Sequence, residues 1–168
     1  MTCYCGNGLD IPYNKKKQLL PDLYKFCSVE CITQYLKRVV EVNYDNLLLN
    51  NISEPLDYWD HRFQMFFRSS YEATTAHFLE NSNIKWEYEP YTIRLNGTKE
   101  YTPDFFLPLM GHFLEVKGLW QGSAKKKIRT AIELGYSVAL IPDYLVKKME
   151  KWNDKRYGVL PSEESPFP

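Results

Sequence analysis

The segment Tyr101–Trp120, which reads YTPDFFLPLMGHFLEVKGLW, limits what this chain can fold into more than any other. Its two apolar runs flank the turn-forming residues Pro108–Gly111, so it predicts a β-hairpin. Because residues i and i+2 of a strand point to the same face, Glu115 and Lys117 are expected side by side. The hairpin also brings Asp104 of its first strand near Glu115. Two carboxylates and one amine are therefore predicted to converge on one small volume.

This grouping of charges favours metal-dependent chemistry. Two close carboxylates repel each other, and a divalent cation relieves that repulsion. Hard oxygen ligands suit Mg2+ (or Mn2+), which can lower the pKa of a bound water and stabilise charge on a phosphorus. Lys117 can orient that water or neutralise the developing charge. The pattern thus indicates hydrolysis of a phosphodiester.

The plainer alternative is an amphipathic hairpin with surface charges, since short D…ExK matches arise often by chance. The neighbours of these charges favour a function, because the apolar run FFL follows Asp104 and the residues F, L and V surround Glu115. Charges embedded in such apolar runs are seldom idle.

Upstream of the hairpin, a helix is predicted from Ser69 to about Asn81. Ser69 and Glu72 have the spacing of a capping box, which is the plain account of Glu72. The functional account is that Glu72 faces the hairpin and adds a third carboxylate. His77, on the same helix, is expected at the surface.

The order of the other elements predicts an α/β fold. The turn signal Asn96-Gly97 joins two strands, and the hairpin completes a three-stranded meander. A strand–helix–strand crossover after it implies one parallel pairing. The predicted strands are Ile84–Leu95, Lys99–Leu107, His112–Lys117 and Ser137–Ile141, and the helices after the hairpin are residues 123–134 and Asp143–Asn153.

Four cysteines lie within the first 31 residues: Cys3, Cys5, Cys27 and Cys31. Ser28 can cap a helix, with Cys27 just before it and Cys31 one turn inside it. These thiolates predict a tetrahedral zinc site, which would explain how a segment of about 30 residues folds with little core. The alternative is four free thiols in a reducing compartment, where disulfides are rare.

The charge pattern points to a polyanionic partner. Formal net charge is zero, but residues 115–156 hold ten Lys or Arg against five Asp or Glu. Such a local patch can steer a polyanion. No apolar run has membrane-spanning length, and the first residues, Met-Thr-Cys-Tyr-Cys, lack the pattern of a signal peptide. We expect no membrane partner and a cytoplasmic location.

Five motifs follow one another along about half of the chain: Ser70-Tyr71-Glu72, Tyr88-Glu89, Tyr101–Phe105, Leu107-Pro108 and Glu115–Trp120, with lysines after the last. This order resembles the PD-(D/E)XK nuclease superfamily and, within it, the phage endonuclease I family of Holliday-junction-resolving enzymes. The resemblance extends from about residue 69 to residue 141. It implies a restriction-endonuclease-like core, with a mixed central sheet flanked by helices and a small N-terminal zinc-binding module added.

The resemblance also implies an active site, made of Glu72, Asp104, Glu115 and Lys117. Asp104 and Glu115 would hold Mg2+ together with the carbonyl of Val116. Glu72 would support a second metal or position one through water, and Lys117 would assist the attacking water.

The partners implied by the resemblance are DNA and a second copy of the chain. The basic helix would lie along the DNA backbone through Lys125, Lys126, Lys127 and Arg129. Family members act as homodimers on branched DNA. By this resemblance we expect a homodimeric nuclease of a bacterial or phage-infected cell.

The predicted domains are a zinc-finger-like module (1–40), a connector (41–68), a nuclease core (69–157) and a flexible tail (158–168). The module and the connector have no counterpart in the family. They leave open a homing or restriction-type endonuclease that reads a duplex site. A non-catalytic, zinc-braced DNA-binding protein is disfavoured, because all four active-site positions are present.

Overall fold

A computed structural model describes residues 3, 5–6, 26–50, 57–117 and 122–157 of the chain. Its helices are α1 (Val29–Leu36), α2 (Ser70–Asn81), α3 (Gly122–Glu133) and α4 (Asp143–Tyr157). Its strands are β1 (Leu47–Leu49), β2 (Tyr58–Asp60), β3 (Met65–Phe67), β4 (Glu87–Tyr88), β5 (Tyr91–Arg94), β6 (Glu100–Tyr101), β7 (Phe105–Leu107), β8 (His112–Lys117) and β9 (Val138–Pro142). The predicted α/β class is confirmed for these residues.

The largest sheet has four strands in the order β4-β7-β8-β9. β7 and β8 form the predicted antiparallel hairpin, with Phe105 opposite Leu114. β8 and β9 run parallel, with Glu115 opposite Leu140, as expected for strands joined by a crossover through α3. The predicted strand at residues 112–117 has the predicted bounds.

Alternate residues of this sheet face two separate hydrophobic clusters. On one face, Leu114 and Val116 pack with buried residues of α1, α2 and α4. On the other face, the rings of Phe106 and Phe113 lie 4.8 Å apart and pack with α3 and a second sheet. Because both faces are covered, the central strands are apolar almost throughout, and their few charged residues stand out.

The second sheet has the order β1-β5-β6 and is antiparallel. β5 and β6 are joined at the predicted Asn96-Gly97 turn, where Gly97 has a φ of +74° and the Leu95 N–H donates to the Lys99 carbonyl. This hairpin turn is confirmed.

The predictions of two long continuous strands, at residues 84–95 and 99–107, are wrong. Residues 84–95 and 99–107 are each divided between the two sheets. The first break falls at Glu89-Pro90, where Glu89 has a φ of +43°. Proline has no N–H to give to a β-ladder, so a Glu-Pro pair inside an alternating run is a place where the chain can change sheets.

The expectation that His77 lies at the surface is also wrong. β2 and β3 form a hairpin that packs on α2, and His77 Nε2 lies 2.6 Å from Oδ2 of Asp60 in the buried contact between them. Burial alone would raise the pKa of Asp60, but the hydrogen bond from His77 holds that pKa below its usual value. A buried carboxylate needs such a partner, so this contact fixes the hairpin on the helix.

The segment after α1 lies against the turn between β7 and β8. The Val40 N–H donates to the Met110 carbonyl at 2.9 Å. A Cβ added to Gly111 would lie 2.3 Å from the Val40 carbonyl oxygen, and Gly111 has a φ of +76°. Both the backbone conformation and the close approach therefore require glycine at this predicted turn.

Several parts of the sequence predictions fall outside the described residues: most of the zinc-finger-like module before Phe26, residues 51–56 of the connector, Gly118–Trp120 of the last motif and the tail at 158–168. The domain boundaries stay predictions, although the connector (41–68) contains β1, β2 and β3, and β1 pairs with β5. In the part of the chain that the structure describes, no helix is both long and apolar enough to cross a membrane.

Candidate active site and cysteine cluster

Asp104 and Glu115 face each other where the main hairpin ends. Asp104 directly precedes β7, and the register that sets Phe105 opposite Leu114 sets Asp104 opposite Glu115. Both side chains are buried, with 7% and 3% of their surface exposed. Asp104 Oδ2 accepts a hydrogen bond of 2.6 Å from the Val116 N–H. The hairpin thus brings the two carboxylates together, as the sequence predicted.

Glu115 and Lys117 lie side by side on β8, because they are two residues apart on one strand. Lys117 Nζ is 2.7 Å from Oε1 of Glu115. The other oxygen, Oε2, accepts a hydrogen bond of 2.7 Å from the Tyr101 hydroxyl. Each oxygen of the Glu115 carboxylate therefore has a donor.

Glu72 enters the same region from the first turn of α2. Its backbone N–H donates to Ser69 Oγ at 3.3 Å, and Ser69 Oγ donates back to its Oε1 at 2.8 Å. Its Oε2 accepts from the Tyr88 hydroxyl and from the Arg68 N–H. The capping account and the inward-facing account of Glu72 are thus both seen. Its backbone N–H bonds to the N-cap residue Ser69, and its carboxylate is buried, with 6% of the residue exposed.

The charges of these four residues act on one another. Burial raises the pKa of Asp104 well above its usual value, and the nearby Glu115 and Glu72 raise it further. Burial also raises the pKa of Glu115, although Lys117 and Tyr101 oppose this. For Lys117, burial would lower the pKa, but the charges of Glu115 and Asp104 raise it, so the amine carries a positive charge.

This donor set fits a divalent cation. Buried carboxylates that raise each other's pKa are stabilised as anions when a cation lies between them. Asp104, Glu115 and the backbone of Val116 offer the hard oxygen atoms that Mg2+ prefers. Among the described residues, the carboxylate oxygens of Glu72, Asp104 and Glu115 are not all within 4.8 Å of one another, so the three acids are less compact than the cysteine set below.

The sulfur atoms of the four cysteines all lie within 4.8 Å of one another. Among the described residues, no other group of three or more potential metal ligands is as compact. Cys3 Sγ is 3.3 Å from Cys31 Sγ, and Cys5 Sγ is 3.5 Å from Cys27 Sγ. No disulfide joins them. Four sulfur atoms around a common centre suit tetrahedral zinc.

Local contacts explain how the cluster forms. Ser28 caps α1 as predicted, with its Oγ accepting from the Cys31 N–H at 3.2 Å. The Cys27 N–H donates to Cys3 Sγ at 3.0 Å. Burial tends to raise the pKa of Cys3, but backbone and thiol hydrogen bonds from Cys5 and its neighbours lower it to about 7, whereas burial and neighbouring thiols raise the pKa of Cys31 to about 12.

The predicted DNA-contacting residues lie on α3, which packs on the sheet through the buried Ile128. Lys126, Lys127 and Arg129 are exposed, and Lys125 is half-buried. Their contact with DNA stays a prediction.

Sequence reasoning missed the residues that hold the carboxylates in place. Arg68 binds the buried Glu89 carboxylate through Nε and Nη2, and the Glu89 N–H donates to the Asp104 carbonyl at 2.9 Å. Tyr88 and Tyr101 donate to Glu72 and Glu115. Tyr101 lies three residues before Asp104, and this closeness in sequence could have indicated that Tyr101 reaches the site. No local sequence feature links Arg68 to Glu89.

Comparisons with known proteins find similar sequences for part of this chain. Residues 58–134 match the family model of phage endonuclease I. Endonuclease I of Escherichia phage T7 is 46% identical over 65 residues, which are 36% of this chain and 42% of that relative. Endodeoxyribonuclease 1 of Enterobacteria phage T3 is 45% identical over 65 residues, which are 36% of this chain and 41% of that relative.

By their printed names, both of these relatives belong to the class of endonucleases, and the second is an endodeoxyribonuclease. Within that class, the resemblance to phage endonuclease I is confirmed for residues 58–134. The chain spans about two fifths of the length of the curated relatives that it matches, and the cysteine cluster lies outside the matched segment. No solved protein structure matches the chain significantly.

Proposed function

We propose that this protein is a Mg2+-dependent (or Mn2+-dependent) DNA endonuclease whose active site is formed by Glu72, Asp104, Glu115 and Lys117. The observation that carries the proposal is the buried, opposed pair of Asp104 and Glu115 with the Lys117 amine bonded to it. Such a grouping of buried like charges costs stability, so its presence favours a role in binding or catalysis.

In this proposal, Asp104, Glu115 and the Val116 carbonyl hold the metal. When bound, the metal supplies activation of water and stabilisation of charge on the scissile phosphate. The Val116 N–H keeps Asp104 oriented through Oδ2. Lys117, which carries a positive charge, orients the attacking water or neutralises the charge that develops on the phosphate.

Glu72 has a supporting role in the same mechanism. Its carboxylate is held by Tyr88, Ser69 and the Arg68 backbone, so it is fixed in place before any substrate arrives. A carboxylate held in this way can position a second metal or a water without reorganising.

We further propose that residues 69–157 form a restriction-endonuclease-like core and that the four cysteines of the N-terminal module (1–40) hold a structural Zn2+. The mixed sheet covered by helices supports the first assignment, and the clustered thiols support the second. A structural zinc site of this kind contributes directly to folding.

The substrate we infer is branched DNA, cut by a homodimer in a phage-infected bacterial cell. The support is the match of residues 58–134 to phage endonuclease I. A second candidate is a homing or restriction-type endonuclease that reads a linear site. That candidate is favoured by the cysteine cluster, which lies outside the matched segment and can serve as an added DNA-docking element.

The test is cleavage of an immobile four-way junction beside a linear duplex of the same sequence, with and without Mg2+. The proposal predicts Mg2+-dependent cutting of the junction alone, and cutting of junctions with unrelated sequences. An Asp104→Asn variant that still binds the junction but does not cut it is the matched control. Cutting of a specific duplex sequence would favour the second candidate, and wild-type cutting without added Mg2+ or Mn2+ would contradict the mechanism.

A further inference from the structure

We propose that Tyr101 is a positioning residue that fixes the Glu115 carboxylate for metal binding. This inference rests on the proposed function, because Glu115 is assigned there as a metal ligand. Tyr101 itself touches neither metal nor substrate in this account; it acts through Glu115.

The geometry of Glu115 carries the inference. Its Oε2 accepts from the Tyr101 hydroxyl at 2.7 Å, and its Oε1 faces Lys117 Nζ at 2.7 Å. The last torsion of a glutamate side chain is broad and roughly two-fold, so a carboxylate rotates easily unless donors hold it. With one donor on each oxygen, the plane of the carboxylate is fixed before a metal arrives.

The position of Tyr101 on the chain explains why it can do this. It ends β6 in the small sheet, where it pairs with Ile93 of β5, while Glu115 lies on β8 of the large sheet. Tyr101 precedes Asp104 by three residues, and Asp104 is bound by the N–H of Val116, next to Glu115. The segment 101–104 and the segment 115–116 are therefore linked twice, and each link orients one carboxylate.

The hydroxyl of Tyr101 is built to remain a donor. Its ring lies in the hydrophobic cluster with Phe106 and Phe113, and the residue is 5% exposed. A phenol ordinarily has a pKa of about 10, so this hydroxyl keeps its proton at neutral pH and donates a hydrogen bond to Oε2 of Glu115.

Tyr136 provides a matched control. It belongs to the same hydrophobic cluster and is 4% exposed, but its hydroxyl donates to the Asn43 carbonyl at 2.9 Å. Tyr136→Phe and Tyr101→Phe each remove one buried hydroxyl from one cluster. Only Tyr101→Phe removes a hydroxyl that holds a carboxylate of the proposed site.

The experiment measures Mn2+ binding to the zinc-loaded full chain by calorimetry, without DNA, together with the Mg2+ dependence of junction cleavage. Residues that orient metal ligands typically affect metal affinity by about 10–100-fold. We expect Tyr101→Phe to raise the Kd for Mn2+ and the Mg2+ concentration for half-maximal cleavage by about that factor, with a smaller loss of rate at saturating metal. Tyr136→Phe should leave the Kd for Mn2+ and the Mg2+ dependence of cleavage unchanged. Its change in melting temperature should be similar to that of Tyr101→Phe.

Two results would overturn the role of Tyr101 while leaving the proposed function in place. One is an unchanged Mn2+ Kd in Tyr101→Phe although wild-type protein binds Mn2+ and Asp104→Asn does not. The other is equal weakening by Tyr136→Phe, which would mean that loss of any buried hydroxyl from this cluster loosens the site. Wild-type protein that binds no Mn2+ outside the zinc site would overturn the proposed function itself.

Discussion

The carboxylate site and the cysteine cluster are held together in different ways. Each acid of the site has donors supplied by the fold: Tyr101 and Lys117 for Glu115, and the Val116 N–H for Asp104. The thiols of the cluster mainly contact one another, and they come from two short pieces of chain separated in sequence. The difference indicates that the fold builds the carboxylate site, whereas the cysteine cluster depends on the zinc that we propose it holds.

Helix α4 contacts the segment that carries Cys27 and also the first turn of the helix that carries Glu72. The Tyr144 hydroxyl donates to the Phe26 carbonyl at 3.1 Å, and Lys148 Nζ donates to the Cys27 carbonyl. At the start of the same helix, Asp143 accepts a hydrogen bond of 2.6 Å from Tyr71, the neighbour of Glu72. The segment that carries Cys27 therefore packs on α4, and the first residue of α4, Asp143, is hydrogen-bonded to the first turn of α2.

The largest effect is expected from Asp104→Asn. Loss of a metal ligand removes several kcal/mol of transition-state stabilisation, so junction cleavage should fall by about 10³-fold or more. Stability in metal-free buffer should not fall, because a neutral amide replaces a carboxylate that burial disfavours. Single-turnover assays measure the cleavage rate and thermal melting measures the stability, with a substitution of the exposed Glu100, Glu100→Gln, as the control. Equal loss of cleavage, junction binding and folding would count against a catalytic role.

The second effect concerns the other region. Cys27→Ser should lower the melting temperature by roughly 10 °C or more, because a structural zinc site contributes several kcal/mol to folding. Zinc content, measured by atomic absorption on the purified protein, should fall from about one per chain. An unchanged melting temperature in a protein that carries no zinc would mean that the thiols do not brace the fold.

A substitution in the turn of the main hairpin tests how closely that turn packs on the segment after α1. Gly111→Ala should lower the free energy of unfolding by about 2–4 kcal/mol, because a positive φ is strained for alanine and the new Cβ would meet the Val40 carbonyl. Gly97→Ala is the matched control, since Gly97 also has a positive φ but nothing lies within 4 Å of its added Cβ. It should cost only about 1 kcal/mol. Equal costs for the two variants in urea denaturation would argue against the close approach.

The carboxylate site should also leave a mark on stability as a function of pH. Because the pKa of Asp104 is raised on folding, its favourable contribution is complete below about pH 4 and is lost as pH rises through the raised value. Without divalent metal, the wild-type protein should lose up to about 1.4 kcal/mol per pH unit from this group within that window. Asp104→Asn should remove this slope, and denaturation midpoints at several pH values measure it. A wild-type stability that instead rises through the same window by more than in the variant would contradict the raised pKa.

The smallest effect is expected at the surface. Lys126→Gln on α3 should reduce the slope of log binding constant against log salt by about 0.9, the value for one lost phosphate contact. Exposed Lys151→Gln on α4 is the control. Junction binding measured by anisotropy at several salt concentrations gives both slopes. If the two variants behave alike, α3 does not lie on the DNA.

The parts of the fold that sequence predicted were those with local signals. The Ser69–Glu72 cap, the Asn96-Gly97 turn and the Pro108–Gly111 turn depend on residues close together in the chain. Asp104 lies opposite Glu115 because of the register of one hairpin, so this arrangement could also be predicted from the sequence.

The missed parts depend on contacts between distant segments. His77 is buried because its partner, Asp60, lies on a hairpin packed against α2, and no periodicity in the sequence predicts that packing. The Tyr101 hydroxyl reaches Glu115 across two sheets that were predicted as one. The proline of Glu89-Pro90 is a local signal for the break, whereas the alternation of the surrounding residues favours one continuous strand.

The most direct test of two metal sites with separate tasks is to remove the two metals one at a time. Zinc-loaded and zinc-stripped protein would each be assayed for melting temperature and junction cleavage, with and without Mg2+. The account predicts that withholding Mg2+ abolishes cleavage with little change in melting temperature. It predicts that stripping zinc lowers the melting temperature by roughly 10 °C or more, and that Mg2+ does not restore it. Cleavage by zinc-loaded protein without Mg2+, or unchanged melting after loss of zinc, would contradict it.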